Sequence, residues 1–279
     1  MSCTKPFRSW IVLAILVISL SSFTPYLGGA SNVAPEDFSC LKERIQFSVK
    51  WTFIPLIKTH METYRPAIGE DSTSYRLVHQ AAANTFWNDR MESIVDSNSL
   101  LPYQMTTIIK DGGKFWEEKI IFDRPLGRAR FFHQNRENGK MIVDHVDIDQ
   151  TSMDPLAAFY YMRKRLSPTK PFMELEGITG PRRFTLTGKL TGEETIDVSA
   201  GTFKTYRSEL IMKYWNRDGN VGQEIERPRD NPFTLWVTQD EHRFPVQIRY
   251  RLPLGSLWIE AISVKSYEAG TRTVAQVYP

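Results

Sequence analysis

The sequence has only two cysteines in 279 residues, Cys3 and Cys40. A chain of this length can bury enough apolar surface to fold without a disulfide framework, and two thiols allow one bridge at most. Neither sign of charge is in marked excess. The 35 Lys and Arg stand against 32 Asp and Glu, a formal +3, which predicts no polyanionic partner and disfavours nucleic-acid binding. No apolar run reaches the roughly 20 residues of a membrane-spanning helix. Long Gly/Ser linkers, low-complexity tracts and internal repeats are missing as well, so the chain reads as one domain of ordinary globular composition.

What is present begins with an export signature. Met1 to Trp10 carries Lys5 and Arg8 and no acid, Ile11 to Ile18 is unbroken and apolar, and helix-breaking Pro25, Gly28 and Gly29 follow. Small residues at Gly28 and Ala30 place cleavage after Ala30, with an uncleaved anchor as the alternative. A lipoprotein is disfavoured because no Cys lies just after the apolar run. Loss of this segment lowers the net charge from +3 to +1 and leaves Cys40 as the sole thiol, read as a buried residue rather than a reactive one. The expected organisation is a signal peptide over 1–30, a flexible segment over 31–40, a single β-rich domain over 41–267 and a C-terminal tail over 268–279.

In the mature chain the dominant period is two. Ile45-Gln-Phe-Ser-Val-Lys-Trp-Thr-Phe53 alternates apolar and polar residues, as a strand with one covered and one wet face requires, and Val246 to Leu252 repeats the pattern. Further strand-like runs cover 75–83, 103–110, 114–122, 129–134, 141–148, 183–190, 203–215, 233–238 and 256–264, while Asn84 to Asp96 and Pro168 to Pro181 look irregular. Turn dipeptides such as Asp111-Gly112, Asn138-Gly139, Ala200-Gly201 and Asp218-Gly219 separate most of the runs. A two-residue turn at Asn138-Gly139 would set Asp147 opposite Arg130, Asp149 opposite Arg128 and Val146 opposite Phe131. A turn at Ala200-Gly201 would set Asp197 against Lys204 and Glu194 against Arg207.

One helix is expected. Asp154-Pro155 supplies an N-cap and a first-turn proline, Arg163-Lys164-Arg165 suits the negative end of the dipole, and Ser167-Pro168 ends it. Leu156, Phe159, Tyr160 and Arg163 would share one stripe, so the helix would plug or cap a sheet. The strands are too many for one flat sheet. The fold class is therefore mainly β: a single domain of curved antiparallel sheet, a half-barrel or β-roll, with one short helix packed on or capping it.

No spacing of residues specifies a reaction. The chain has no Gly-x-Ser-x-Gly elbow, and its five histidines are scattered. Lys110-Asp-Gly-Gly-Lys-Phe115 joins two strands and leads into no helix, so it lacks the amides of a phosphate cradle. His145, Asp147 and Asp149 share a strand face like a metal-ligand ladder, but the hairpin gives both acids arginine partners and turns His133 away. His242 beside Asp240 and Glu241 reads as a surface pair, and Glu117 and Glu118 point to opposite faces. The basic groups at Arg163 to Arg165, Arg182-Arg183, Arg249 and Arg251 read as helix capping and wet strand faces rather than sites for anionic headgroups. No metal, cofactor or catalytic residue is expected.

The aromatics are the suggestive set. Trp51, Phe53, Trp116, Tyr160, Trp236 and Trp258 recur on covered faces and are the candidate lining of an apolar groove; the competing reading is that they simply fill the core. Several phrases, in order, carry a resemblance: Phe47-Ser-Val-Lys-Trp51, Asp154-Pro-Leu-Ala-Ala-Phe-Tyr-Tyr-Met-Arg163, Asp197-Val-Ser-Ala-Gly-Thr-Phe-Lys204, then Leu235-Trp-Val-Thr-Gln-Asp240 and Phe244-Pro-Val246. Together they resemble the bacterial exported family called domain of unknown function 3108, over roughly residues 41–267. The resemblance implies an envelope protein with a β-rich fold, similar in architecture to the curved-sheet lipoprotein carriers of the periplasm, and it brings no reaction to transfer. The expectation is a non-enzymatic periplasmic protein that binds a lipid or other apolar envelope molecule. A structural or protein-interaction module of an envelope complex is the alternative, and a cell-wall or lipid hydrolase ranks third.

Overall fold

Alternation along the first strand sets the inside and outside of the whole sheet. In Leu41–Trp51 (β1) Leu41, Glu43, Ile45, Phe47 and Val49 are buried, while the residues between them retain solvent contact. The computed structural model describes residues 41–65, 73–82, 87–111, 114–215, 232–267 and 274–278. The expected signal peptide, the 31–40 segment and Cys40 lie outside them.

The remaining elements are Ile54–Tyr64 (β2), Ser74–Ala82 (β3), Trp87–Asp96 (β4), Pro102–Asp111 (β5), Lys114–Asp123 (β6), Arg128–Asn135 (β7) and Met141–Asp147 (β8). The helix Pro155–Arg165 (α1) follows, then Phe172–Thr179 (β9), Arg182–Val198 (β10), Gly201–Trp215 (β11), Phe233–Thr238 (β12), Pro245–Leu252 (β13), Gly255–Tyr267 (β14) and Val274–Tyr278 (β15). All pair antiparallel in one sheet whose path runs β8-β7-β6-β5-β4-β3-β2-β1-β14-β13-β12-β11-β10-β9. The expected class holds: a curved, mainly β single sheet with one helix among the described residues.

The path is open, since its ends, β8 and β9, are not hydrogen-bonded neighbours. The segment between β8 and α1 lies against β9 instead. Met153 donates to the Glu176 carbonyl at 3.0 Å and accepts from the Ile178 amide at 2.8 Å, and Arg183 reaches the Asp147 carbonyl at 2.7 Å. This contact needs glycine at 177, because a Cβ there would sit 2.2 Å from the Met153 carbonyl oxygen and 2.4 Å from the Phe184 ring.

The helix is not the one-sided stripe expected from its sequence. Pro155 to Tyr160, Met162 and Arg163 are all buried, because α1 lies inside the curl of the sheet and touches β3, β4 and β9, with Met162 against Gly188 of β10. Its N-cap carboxylate, Asp154, accepts from the Ala157 amide at 2.8 Å and from the Ser93 hydroxyl of β4 at 2.6 Å. At the other end Arg163, 2% exposed, ion-pairs with Glu43 of β1. Thr63 of β2 donates to the same carboxylate at 2.9 Å, and the Tyr160 ring faces the guanidinium at 4.0 Å. Burial alone would push the Glu43 carboxyl up, but Arg163, Lys164 and the Thr63 hydroxyl outweigh it and hold the group below its ordinary value.

Several expectations are corrected. Asn84 to Asp96 contains β4, whose inward positions include Asp89 and Ser93, so its alternation is hidden by polar residues on the covered face. Pro168 to Pro181 contains the edge strand β9, and Ile54–Tyr64 forms β2, which the pattern did not mark. The 268–279 tail contains β15, which pairs with the edge of β14 left uncovered beyond β13. The β7–β8 loop spans four residues, with Asn135 donating to Lys140, so Arg128 meets Asp147 and Arg130 meets His145. Faces are as expected and partners are displaced by two. Likewise the tight turn is Ser199-Ala200, which pairs Thr195 with Lys204; Glu194 still reaches Arg207, 3.3 Å away on the diagonal.

Glu43→Gln should strand the buried guanidinium and cost about 3–5 kcal/mol in urea unfolding. The Glu43→Leu/Arg163→Met pair should cost much less, since no charge then remains without a partner.

Candidate functional site

Register carries the inner face across the sheet in rows. One row reads Phe47, Thr59, Ala81, Asp89, Ile109, Trp116 and Asn135; the next, nearer the plug, reads Ile45, Met61, His79, Met91, Thr107, Glu118 and His133. The row after that holds Glu43, Thr63 and Ser93, the partners of α1. The inner face therefore has a plugged half and a half that runs toward the rim formed by the β1–β2 and β13–β14 turns.

The rim half combines partly exposed aromatics with buried polar groups. Trp51, Trp87, Trp116, Tyr214 and Tyr250 face inward and are half-buried. Phe233 stacks on Tyr250 with ring centroids 5.0 Å apart. Glu118 pairs with His133 at 3.1 Å, while Glu117 points outward to Arg136, so the two carboxylates do lie on opposite faces. Thr59 donates to the Gln80 carbonyl at 2.6 Å, which commits its proton, so the His79 imidazole 2.8 Å away donates from Nε2. Its Nδ1 is thereby a bare acceptor, buried and without a partner in the protein. Burial and the neighbouring His60 push this imidazole down to about 4, so it is neutral at pH 7. Asp89 is 1% exposed, and neither of its carboxyl oxygens has a hydrogen-bond partner. Burial, with Asp111 two residues along the facing strand, pushes it up to about 8.

The expected lining residues separate into three groups. Trp51 and Trp116 lie on the inner face of the rim half, and the Trp51 indole nitrogen is buried without a partner. Tyr160 belongs to the plug, where its hydroxyl donates to the Glu62 carbonyl at 3.4 Å. Trp236 and Trp258 lie outside. They share cross-strand rows with Arg207, Gln247, Arg249 and Lys50, and stack with centroids 6.3 Å apart around the Arg249 guanidinium. Trp236 is buried there because it donates to Glu194 at 2.7 Å under these long side chains. Phe53 sits at the β1–β2 tip, 82% exposed, beyond the last ladder pair. Tyr250 was legible from the Val246 to Leu252 alternation. Trp87 and Asp89 were hidden in the segment read as irregular.

The candidate chemistry of the other motifs resolves into structure. His145 and Asp147 are exposed on β8, and among the described residues no cluster of His, Cys, Asp and Glu could hold a metal ion. Asp240 organises a turn, accepting from the Thr238 hydroxyl at 2.8 Å and from the His242 and Arg243 amides at 2.9 and 3.2 Å. His242 stacks on Phe244, and its carbonyl accepts from Lys164 of α1.

A curled, open antiparallel sheet with a buried helical plug defines a β-barrel-like class of protein. Within that class the chain belongs to the family DUF3108, described as proteins of unknown function, whose pattern matches residues 46–261. No curated protein matches it. Among solved structures it is similar to a beta-barrel-like protein of domain of unknown function DUF1849 from Brucella abortus, with TM-score 0.50 and 8% identity over 82% of this chain and 99% of that one. That likeness is one of fold alone. Two others score lower. A protein described as exported, with a YmcC-like fold, from Bacteroides fragilis gives TM-score 0.30 at 7% identity over 81% and 96% of the two chains. One described as a lipoprotein from Parabacteroides distasonis gives 0.29 at 6% over 80% and 95%. No helix among the described residues is long and apolar enough to cross a membrane.

The raised Asp89 value fixes a sign. Between pH 4 and 8 the native carboxyl keeps its proton while the unfolded chain releases it, so this group's contribution to stability falls as pH rises. Asp89→Asn should therefore melt higher relative to the wild type at pH 9 than at pH 5, as scanning calorimetry at the two pH values would read.

Proposed function

We propose that this is a non-enzymatic protein of the bacterial cell envelope that holds an apolar or amphipathic molecule, a lipid in the simplest case, on the inner face of its sheet between the plug and the rim. The observation that carries the reading is the contrast between the two halves. Around α1 most side chains are buried, with Arg163 ion-paired to Glu43, whereas Trp51, Trp87, Trp116, Tyr214 and Tyr250 point inward yet keep solvent contact. Inward aromatics that fill a core lose that contact; aromatics that line a ligand groove retain it in the free protein. Asp240 holds its turn through the Thr238 hydroxyl and the His242 and Arg243 amides, a structural role for this acid beside His242. Placement in the envelope rests on the N-terminal export signature. Native mass spectrometry of protein purified from its own envelope should show a bound amphiphile that organic extraction removes, with occupancy reduced in Trp51→Ala/Trp116→Ala. Recovery of only ligand-free protein, with no change in tryptophan fluorescence on adding lipid, would overturn the reading.

The rim favours a second, compatible role in surface contact. Phe53 is 82% exposed, Ile54 49% and Leu254 81%, on two adjacent turns tied together by the Thr52 amide donating to the Ser256 carbonyl at 2.7 Å. Lys50, Lys58 and Arg251 lie on the same strands near these tips. Apolar tips flanked by cations suit the headgroup boundary of an anionic bilayer. Phe53→Glu/Leu254→Glu should lower co-sedimentation with phosphatidylglycerol-containing vesicles at least about fivefold while leaving the melting temperature unchanged, because neither side chain is buried.

A further inference from the structure

Beside the Trp51 indole N–H, a donor, the inner face carries three unpartnered atoms on Asp89 and His79 that share one chemical demand. The Asp89 carboxyl offers two acceptor oxygens and His79 Nδ1 offers one, and none of the three is met by the protein. The two residues are diagonal neighbours, since Asp89 faces Ala81 across the β3–β4 ladder and His79 lies two positions from Ala81 on the same face. Ordinary sheet geometry puts such Cβ atoms about 7 Å apart, a span that one small polar group can bridge. The diagonal is flanked by the Ala81 methyl on one side and by the Met91 side chain on the other.

We propose that His79 and Asp89 form the seat for a protonated primary amine, and that the molecule held in the rim half is an amine-headed amphiphile. This rests on the interior-binding reading above and specifies its ligand. An ammonium group brings three donors and a positive charge, which matches His79 Nδ1 and the two oxygens of an ionised Asp89; beside that ionised carboxylate a phosphate or a carboxylate head would meet only further acceptors and like charge. The surrounding charge agrees. Asp111 on β5 and Glu118 on β6 face the same interior, Glu118 being paired to His133, and His79 carries no charge at pH 7. Trp87 on Asp89's own strand and Trp116 in its row add indole rings to the same face, a ring type whose π-face attracts a cation. The burial and acidic neighbour that push Asp89 up to about 8 describe the free protein; a cation placed against it stabilises the ionised form. Trp51 and Tyr250, farther along the inner face toward the rim, would receive the apolar tail.

Dodecylamine, dodecanol and dodecanoate, each below its micellar concentration, separate this inference from the reading beneath it when titrated into the mature protein at pH 7 and followed by tryptophan fluorescence. Dodecylamine should bind about tenfold tighter than dodecanol, and dodecanoate more weakly than either. Asp89→Asn, shown to be folded by a cooperative melt, should lose the amine preference and keep the dodecanol affinity, and His79→Phe should lose part of the preference. Equal binding of amine and alcohol by the wild type overturns the amine seat while leaving the interior-binding reading standing. So does an amine preference that survives Asp89→Asn. If none of the three binds, the interior-binding reading fails and the amine seat with it.

Discussion

The ion pair between Arg163 and Glu43 ties the only helix among the described residues to the first strand, deep in a place where neither charge can reach water. Desolvating two charges costs several kcal/mol each, and their attraction repays that only when the geometry is held by further contacts. Here the Thr63 hydroxyl and the Tyr160 ring supply them, from a neighbouring strand and from the helix itself. At the opposite end of the helix, Asp154 binds Ser93 of β4. The helix is thus pinned at both ends to strands β1 and β4, and the sheet between these anchors cannot flatten without exposing an unpaired charge.

The same pinning divides the interior. With α1 filling the curl at the level of Glu43 and Ser93, the inner face toward the rim is left to be covered by its own side chains. Those are an unusual mixture: aromatics that are only half-buried, a neutral imidazole and a carboxyl with no partner. A core selected for stability alone would replace Asp89 with an apolar residue, because an unpaired buried polar group costs stability without return. Its presence on an inner face that carries half-buried aromatics is the physical basis for the proposed reading of this half as a binding surface.

The seam shows how the sheet closes its circumference without closing its ladder. The chain leaving β8 lies along β9 through two hydrogen bonds at Met153, so the free edge of β9 is covered by the connection itself. Gly177 permits this approach, and Arg183 fastens the far side to Asp147. The family assignment and the likeness to a barrel-like fold agree with this geometry, and they bring no ligand with them.

The sequence by itself determined the strand-rich class, the helix with its cap and end, and the faces of most strands, because local alternation and capping chemistry act over a few residues. It placed Trp51 and Trp116 on the covered side correctly for that reason. It failed where local pattern and burial disagree. Trp236 is buried outside the sheet under Glu194, Arg207 and Arg249, and β4 is an inward strand carrying Asp89 and Ser93. The β7–β8 loop is two residues longer than expected and the β10–β11 turn is displaced by one position, because a dipeptide suited to a turn does not specify which residues close it. Only the tertiary structure decided that the helix is buried along most of its length, that Arg163 finds Glu43 across 120 residues of chain, and that the Asp89 carboxyl and His79 Nδ1 lie at diagonal positions without partners. Those are relations between strands, fixed by ladder register and by the curl of the sheet, and no stretch of sequence contains them.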